Sequence, residues 1–208
     1  MADLLAVIVG QFQANSVLEL VAVVLAIAYL LLAVKENTLC WYAAFVSTAI
    51  FLVIFWQVRL YMESGLQVYY LAMAVFGWYQ WTRGGDQHRG IGITTWALRV
   101  HLAVFAVVVI AAYLSGTLLA QFTDARLPYI DSFTTWASIV TTYMVAKKVL
   151  ENWIYWFVID GISIFLYLDR GLYFTAILFM AYVIIVVFGW FTWSKQYHAQ
   201  QGNAATET

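Results

Sequence analysis

Apolar residues fill this chain in seven blocks, at 16–34, 39–57, 65–82, 97–120, 132–147, 151–168 and 172–194. Crossing a bilayer takes about 20 apolar residues in a helix, with a range of roughly 17–25. The pattern therefore predicts an all-α membrane protein with seven transmembrane helices. The fifth block is diluted by Thr134, Thr135, Ser138, Thr141 and Thr142, hydroxyls that suit helix packing better than a ligand surface. The polar segment 83–96 and the loop 116–131 set the fourth helix apart, with three helices on either side. The chain then divides into a first bundle with its following loop (1–96), a linker helix with an outer loop (97–131) and a second bundle (132–195). A polar tail, 196–208, is expected to be disordered.

The two groups of three repeat a set of landmarks. Glu36-Asn37 and Glu151-Asn152 each lead a Glu-Asn-x-x-x-Trp segment. Gly65-Leu66 and Gly171-Leu172 open the third and seventh blocks. Phe76-Gly77-Trp78 with Trp81 returns as Phe188-Gly189-Trp190 with Trp193. The match is imperfect, because Asn37 and Gly77 are 40 residues apart and Asn152 and Gly189 are 37. The order of landmarks is nonetheless the same. A single helix between two triplets gives both triplets one direction, so the expected repeat is parallel (3+1+3), as in SWEET sugar transporters.

Composition narrows the class. Hydrophobic residues make up 64% and charged residues 10%, against about 25% charged in soluble domains. The net charge of −1 and the lack of a basic run speak against nucleic acid. Cys40 is the single cysteine, which excludes an internal disulfide, and the one proline, Pro128, predicts largely continuous helices. Met1 to Phe12 show no basic leader or cleavage site, so no cleavable signal is expected. Taken loop by loop, Lys35, Arg83, Arg89, Arg99, Lys147, Lys148 and Lys195 fall on one side, and Arg59, Arg126 and Arg170 on the other. Positive charge stays inside, which predicts an outside N-terminus and a cytoplasmic C-terminus.

Polar residues within the blocks mark the candidate site. Asp160 lies mid-way along the sixth block, where a charged side chain costs about 2.5–3.5 kcal/mol on insertion scales and usually faces a cavity or partner. Asn152, Trp156, Asp160, Ser163 and Tyr167 form one helical stripe. Gln67, Tyr70 and Trp78 share a similar spacing in the third block, and the second offers Trp41 and Gln57. Amides and aromatic rings together suit a ring-shaped ligand with hydrogen-bonding groups, and indoles add cation–π attraction for a cationic one. Other readings stand beside these. An aromatic belt accounts equally for Trp78, Trp81, Trp190 and Trp193. Asn152 has a second reading as a helix cap, and Asp160 as a partner to a neighbouring helix. His88, His101 and His198 are too scattered for a metal site.

The segments Gly65-Leu66-Gln67-Val68-Tyr69-Tyr70, Gly77-Trp78-Tyr79-Gln80-Trp81 and Glu151-Asn152-Trp153-Ile154-Tyr155-Trp156 with Asp160, Tyr167 and Gly171-Leu172-Tyr173 resemble the signature of the nicotinamide riboside transporter family, PnuC. The resemblance runs from the first helix to Trp193. It implies a seven-helix fold, a homotrimer in a bacterial inner membrane and a ligand at the centre of each protomer. Together with the stripes, the substrate-binding candidates are Trp41, Gln57, Gln67, Tyr70, Trp78, Asn152, Trp153, Trp156, Asp160 and Tyr167. The implied substrate is nicotinamide riboside, with thiamine as the alternative, since related members carry thiamine or riboflavin. SWEET carriers hinge on prolines, which these helices lack.

No phosphate-binding loop is present, and no chain of intramembrane carboxylates offers proton coupling. Uncoupled facilitated diffusion, without a cofactor, is the simplest mechanism, with uptake maintained by phosphorylation of the product (implied by the resemblance). A retinal protein would need a lysine inside its last helix, and Lys195 sits at the water boundary. An enzyme would need an acid–base or nucleophile cluster, and Asp160 has no evident partner at its depth.

Overall fold

The computed structural model describes residues 17–57, 61–85, 90–123, 127–169 and 173–206. These residues contain seven α-helices: α1 (Val17–Val34), α2 (Cys40–Gln57), α3 (Tyr61–Arg83), α4 (Leu98–Phe122), α5 (Pro128–Ala146), α6 (Asn152–Asp169) and α7 (Tyr173–Thr206). The seven apolar blocks thus become the seven helices. Three boundaries differ from expectation. Gly65 lies inside α3 rather than at its start. α5 begins at Pro128, because proline fits a first helical turn whose N–H would lack an intrahelical partner. α7 runs on through the polar tail to Thr206, where disorder was expected. Gly171-Leu172, together with Arg59, His88, Arg89, Arg126, Arg170 and the first sixteen residues, lies outside the described residues.

α4 and α7 are by themselves long and apolar enough to cross a membrane. The surface makes the same point. Val107, Ile110, Leu114, Phe188 and Phe191 are exposed, a density of apolar side chains that water does not tolerate and lipid does.

The chain divides into two compact units, residues 1–91 and 92–208. In the first, α2 packs against both α1 and α3. The Ser47 hydroxyl donates to the Ala22 carbonyl at 2.7 Å, tying α2 to α1. In the second, α4 lies along α5, α5 along α6, and α6 along α7. Val108, Ala112 and Gly116 form the buried edge of α4, and a Cβ at Gly116 would press on Tyr129 of α5. Trp136 Nε1–H donates to Ser115 Oγ at 3.1 Å across the same seam. The α5 threonines serve mainly their own helix: Thr134, Thr135, Thr141 and Thr142 donate to carbonyls one turn back. Segment 92–96 was grouped with the first bundle in the sequence reading. Its hydrogen bonds instead join it to the second unit.

Within each unit the same packing device occurs. In the first, the Trp41 ring lies on the backbone of Gly77 and meets Trp81 edge-on, 5.3 Å between centroids at 87°. In the second, Trp153 lies on Gly189 and meets Trp193 at 5.3 Å and 88°. Trp41 to Trp153, Gly77 to Gly189 and Trp81 to Trp193 share one offset, 112 residues. The preceding turns obey it too. Among the described residues, Glu36 and Lys148 are the two non-glycine residues with positive φ, 51° and 50°. Asn37 N–H donates to Leu32 O and Val149 N–H to Met144 O, both at 2.9 Å.

This offset corrects the sequence alignment of the halves. Asn37 corresponds to Val149, and Asn152 to Cys40, so the two Glu-Asn pairs are not equivalent. Their chemistry differs accordingly. Asn37 Oδ1 accepts from Leu39 N–H at 2.9 Å, an Asx-type turn. Asn152 Nδ2 donates back to the Val149 carbonyl at 2.7 Å.

A Cβ at Gly77 or Gly189 would collide with an indole that a second tryptophan already confines. Gly77→Ala and Gly189→Ala are each expected to cost about 1–3 kcal/mol by overpacking, read as a lower thermal midpoint of detergent-solubilised protein. At Gly161 an added Cβ meets nothing within 4 Å, so Ala there is expected to be neutral or stabilising by up to about 1 kcal/mol. Equal midpoints for the three variants would refute the wedge.

Candidate substrate-binding site

α6 buries an amide, a carboxylate and a hydroxyl along one face. Trp153 turned onto α7 fixes the helix's rotation, and the predicted stripe then faces the interior of its unit. Asn152 is fully buried, Asp160 is 4% exposed and Ser163 7%. Trp156 and Tyr167 are half-buried. Trp156 packs against the apolar cluster of Val108, Ala137 and Ile159, and the Tyr167 ring lies 5.0 Å from Phe179. Asp160 and Tyr167 both lie within electrostatic reach of Tyr182 on α7. Asp160, Tyr167 and Tyr182 thus form a polar group that one helix face and its neighbour share. The Asn152 Oδ1 atom is buried with no hydrogen-bond partner.

The first unit holds a smaller counterpart. Tyr29 lies within electrostatic reach of Cys40 and Tyr70, and the Tyr29 ring is tilted against Trp41 at 6.0 Å. Gln67 and Tyr70 are half-buried, and Trp78 meets Tyr42 edge-on at 6.4 Å. The side chain of Gln57 lies outside the described residues.

Two predicted site residues have a different role. Trp41 and Trp153 are each 2% exposed, and their rings are filled by glycine backbone and a second tryptophan. Both are packing wedges in this structure, and their indole N–H groups are buried with no hydrogen-bond partner. Tyr182 and Tyr29 were missed by sequence reasoning. Tyr182 was within reach of it: it stands 112 residues after Tyr70, a chosen candidate. The Glu-Asn alignment concealed that.

Two further hollows line α6, and both are apolar. The larger, about 610 Å³, opens between α5 and α6 along Phe133, Phe157, Gly161 and Phe165. It lies on a different face of α6 from Asp160, and its lining is apolar apart from Tyr129. No group of three or more His, Cys, Asp or Glu residues able to hold a metal occurs among the described residues.

The sequence profile of the nicotinamide mononucleotide transporter family matches residues 16–195. The chain belongs to this family. Members of this transporter family are integral membrane proteins, and the family is not one of enzymes. The chain is similar to the nicotinamide riboside transporter PnuC of Escherichia coli (strain K12), 24% identical over 78% of either chain. It is also similar to the riboflavin/roseoflavin transporter RibM of Streptomyces davaonensis, 25% identical over 84% of this chain and 83% of that one. The crystal structure of the vitamin B3 transporter PnuC superposes with a TM-score of 0.68, at 21% identity, covering 94% of this chain and 88% of that chain. The family fold is therefore shared from α1 to α7.

The separation of wedge from lining has a direct test. Trp153→Ala and Trp41→Ala are expected to cost about 3–5 kcal/mol as large core truncations. Asp160→Asn should leave the thermal midpoint unlowered, because it removes a charge and no volume. A Trp153→Ala protein as stable as wild type would return that ring to the ligand site.

Proposed function

We propose that this chain takes up nicotinamide riboside across a bacterial inner membrane by facilitated diffusion. The ligand sits between two three-helix bundles related as a parallel 3+1+3 repeat of the SWEET type. The N-terminus is outside, the C-terminus is cytoplasmic, and three protomers form the assembly. Family membership and the riboside-transporting relative support the substrate, and the constant 112-residue offset supports the repeat. The basic-residue asymmetry supports the orientation.

The observation that carries the substrate class is the buried carboxylate of Asp160. Nicotinamide riboside is a pyridinium cation. A cation beside Asp160 favours the ionised carboxylate, and the pair is then neutral within the low-dielectric interior. The half-buried Trp156, Tyr167 and Trp78 offer ring faces to the pyridinium. The unpartnered Asn152 Oδ1 is an acceptor for the carboxamide N–H or a ribose hydroxyl once the bundles part. The family's descriptive name points to the mononucleotide instead. A phosphate needs cationic partners, and no Lys or Arg stands in the middle of any of the seven helices. The riboside fits this lining, and the mononucleotide does not.

RibM supplies a second reading, riboflavin, whose isoalloxazine ring is neutral. Asp160 argues against it and leaves thiamine, another cationic heterocycle, as the closer rival. Tryptophan-fluorescence titration of purified protein separates these. Nicotinamide riboside should bind, riboflavin and the mononucleotide should bind at least about tenfold more weakly, and Asp160→Asn should weaken the riboside by about tenfold or more, the scale of a lost charge pair. Equal affinity of Asp160→Asn and wild type, or tighter binding of the mononucleotide, overturns the assignment. Labelled riboside should also equilibrate into proteoliposomes without an ion gradient or ATP, and failure to do so excludes uncoupled transport.

A further inference from the structure

Before α4 the chain runs extended, and this strap is stitched to the second unit at four points. Ile93 N–H donates to Gln200 Oε1 at 3.2 Å. Thr94 N–H donates to the Lys148 carbonyl at 2.9 Å, and Leu150 N–H donates to the Thr94 carbonyl at 2.8 Å, a single parallel β-bridge. Trp96 N–H donates to Glu151 Oε2 at 3.3 Å. One turn into α4, His101 Nδ1 lies 2.9 Å from the Tyr155 hydroxyl, and its Nε2 lies 3.8 Å from Glu151 Oε1. The two ring nitrogens of His101 thus face one partner each at the start of α6. Glu151 thus holds the strap with one oxygen and faces His101 with the other.

The clamp buries the turn between α5 and α6. Lys148 is 8%, Val149 0% and Leu150 5% exposed. In the corresponding turn of the first unit Glu36 and Thr38 are half-buried and Asn37 is exposed. Glu151 and Tyr155 are one helical turn apart, and each immediately precedes a member of the polar stripe, Asn152 and Trp156. Successive helical residues are about 100° apart. A grip on the Glu151–Tyr155 edge therefore sets the rotation at which Asn152 and Trp156 are presented.

We propose that Glu151, His101 and Tyr155 are positioning residues of the carrier: by fixing the strap to the first turn of α6 they hold Asn152 and Trp156 in register for the substrate. This rests on the reading that α6 lines the substrate path. None of the three need touch the ligand. Their effect is to remove a rotational freedom that binding would otherwise have to freeze.

The test uses the full chain in detergent, with Glu151→Ala, Glu151→Gln and Tyr155→Phe compared by two measurements. In amide hydrogen exchange without ligand, Glu151→Ala should expose the amides of 94–97 and 150–155, and Glu151→Gln, which retains an oxygen for Trp96 N–H, should protect them nearly as well as wild type. In riboside titration, Glu151→Ala and Tyr155→Phe should bind about tenfold more weakly, the scale of one hydrogen bond to a charged group. Glu151→Gln should recover most of that loss. A merely structural role predicts a lower thermal midpoint for Glu151→Ala with no such recovery of affinity. Unchanged exchange in Glu151→Ala overturns the clamp, and loosened exchange with wild-type affinity overturns positioning. If wild-type protein ignores the riboside, the substrate assignment falls, and the clamp is judged on exchange, which needs no ligand.

Discussion

A tryptophan ring laid flat on a glycine backbone governs how each half of this protein is put together. Between helices in lipid the hydrophobic effect offers little, because the surrounding chains are as apolar as the side chains. Close fit must do what exclusion from water does elsewhere. Gly77 and Gly189 open a notch in α3 and α7, Trp41 and Trp153 fill it, and Trp81 and Trp193 close it edge-on. The contact fixes rotation as well as distance. With Trp153 committed to α7, Asn152, Asp160 and Ser163 are turned inward, and Phe157 and Phe165 are left on the surface.

On that shared frame the linings differ. At the 112-residue offset, Cys40 stands where Asn152 does, Thr48 where Asp160 does and Phe51 where Ser163 does, and Tyr70 and Tyr182 agree. The first half presents phenols and a thiol around Tyr29, and the second presents an amide and a carboxylate. The geometry that repeats is the part that packs, and the part that varies is the part that faces the interior.

The helices could be read from the chain because lipid demands long unbroken apolar runs, and the run lengths leave little freedom. The stripe on α6 was legible for the same reason, since Asp160 has no cheap place except inward. Other features were not legible. Glu-Asn occurs twice in the sequence by coincidence of letters. The Trp–Gly–Trp contacts, together with φ at Glu36 and Lys148 and the bonds around them, reveal the true correspondence. Trp41 and Trp153 looked like ligand platforms, because an indole's partner, whether a vitamin or a glycine, is not written beside it. The polar tail suggested disorder because polarity cannot distinguish a chain without a partner from one whose Gln200 meets Ile93 across more than half of the sequence. The strap escaped notice for a related reason: its own groups are backbone amides and a carbonyl, and their partners, Lys148, Leu150, Glu151 and Gln200, lie far along the chain.

The length of α7 has a mechanical consequence. The helix continues for 12 residues from Lys195 to Thr206, about 18 Å at 1.5 Å per residue, beyond the apolar run that the bilayer can accept. A rigid rod pivoting within the membrane magnifies at its far tip whatever tilt it undergoes inside. Because Gln200 sits on that protruding arm and grips the stretch entering α4, a small inclination of the final helix is transmitted as a lateral pull on the strap. The far end of α7 is thus geared to the stretch entering α4.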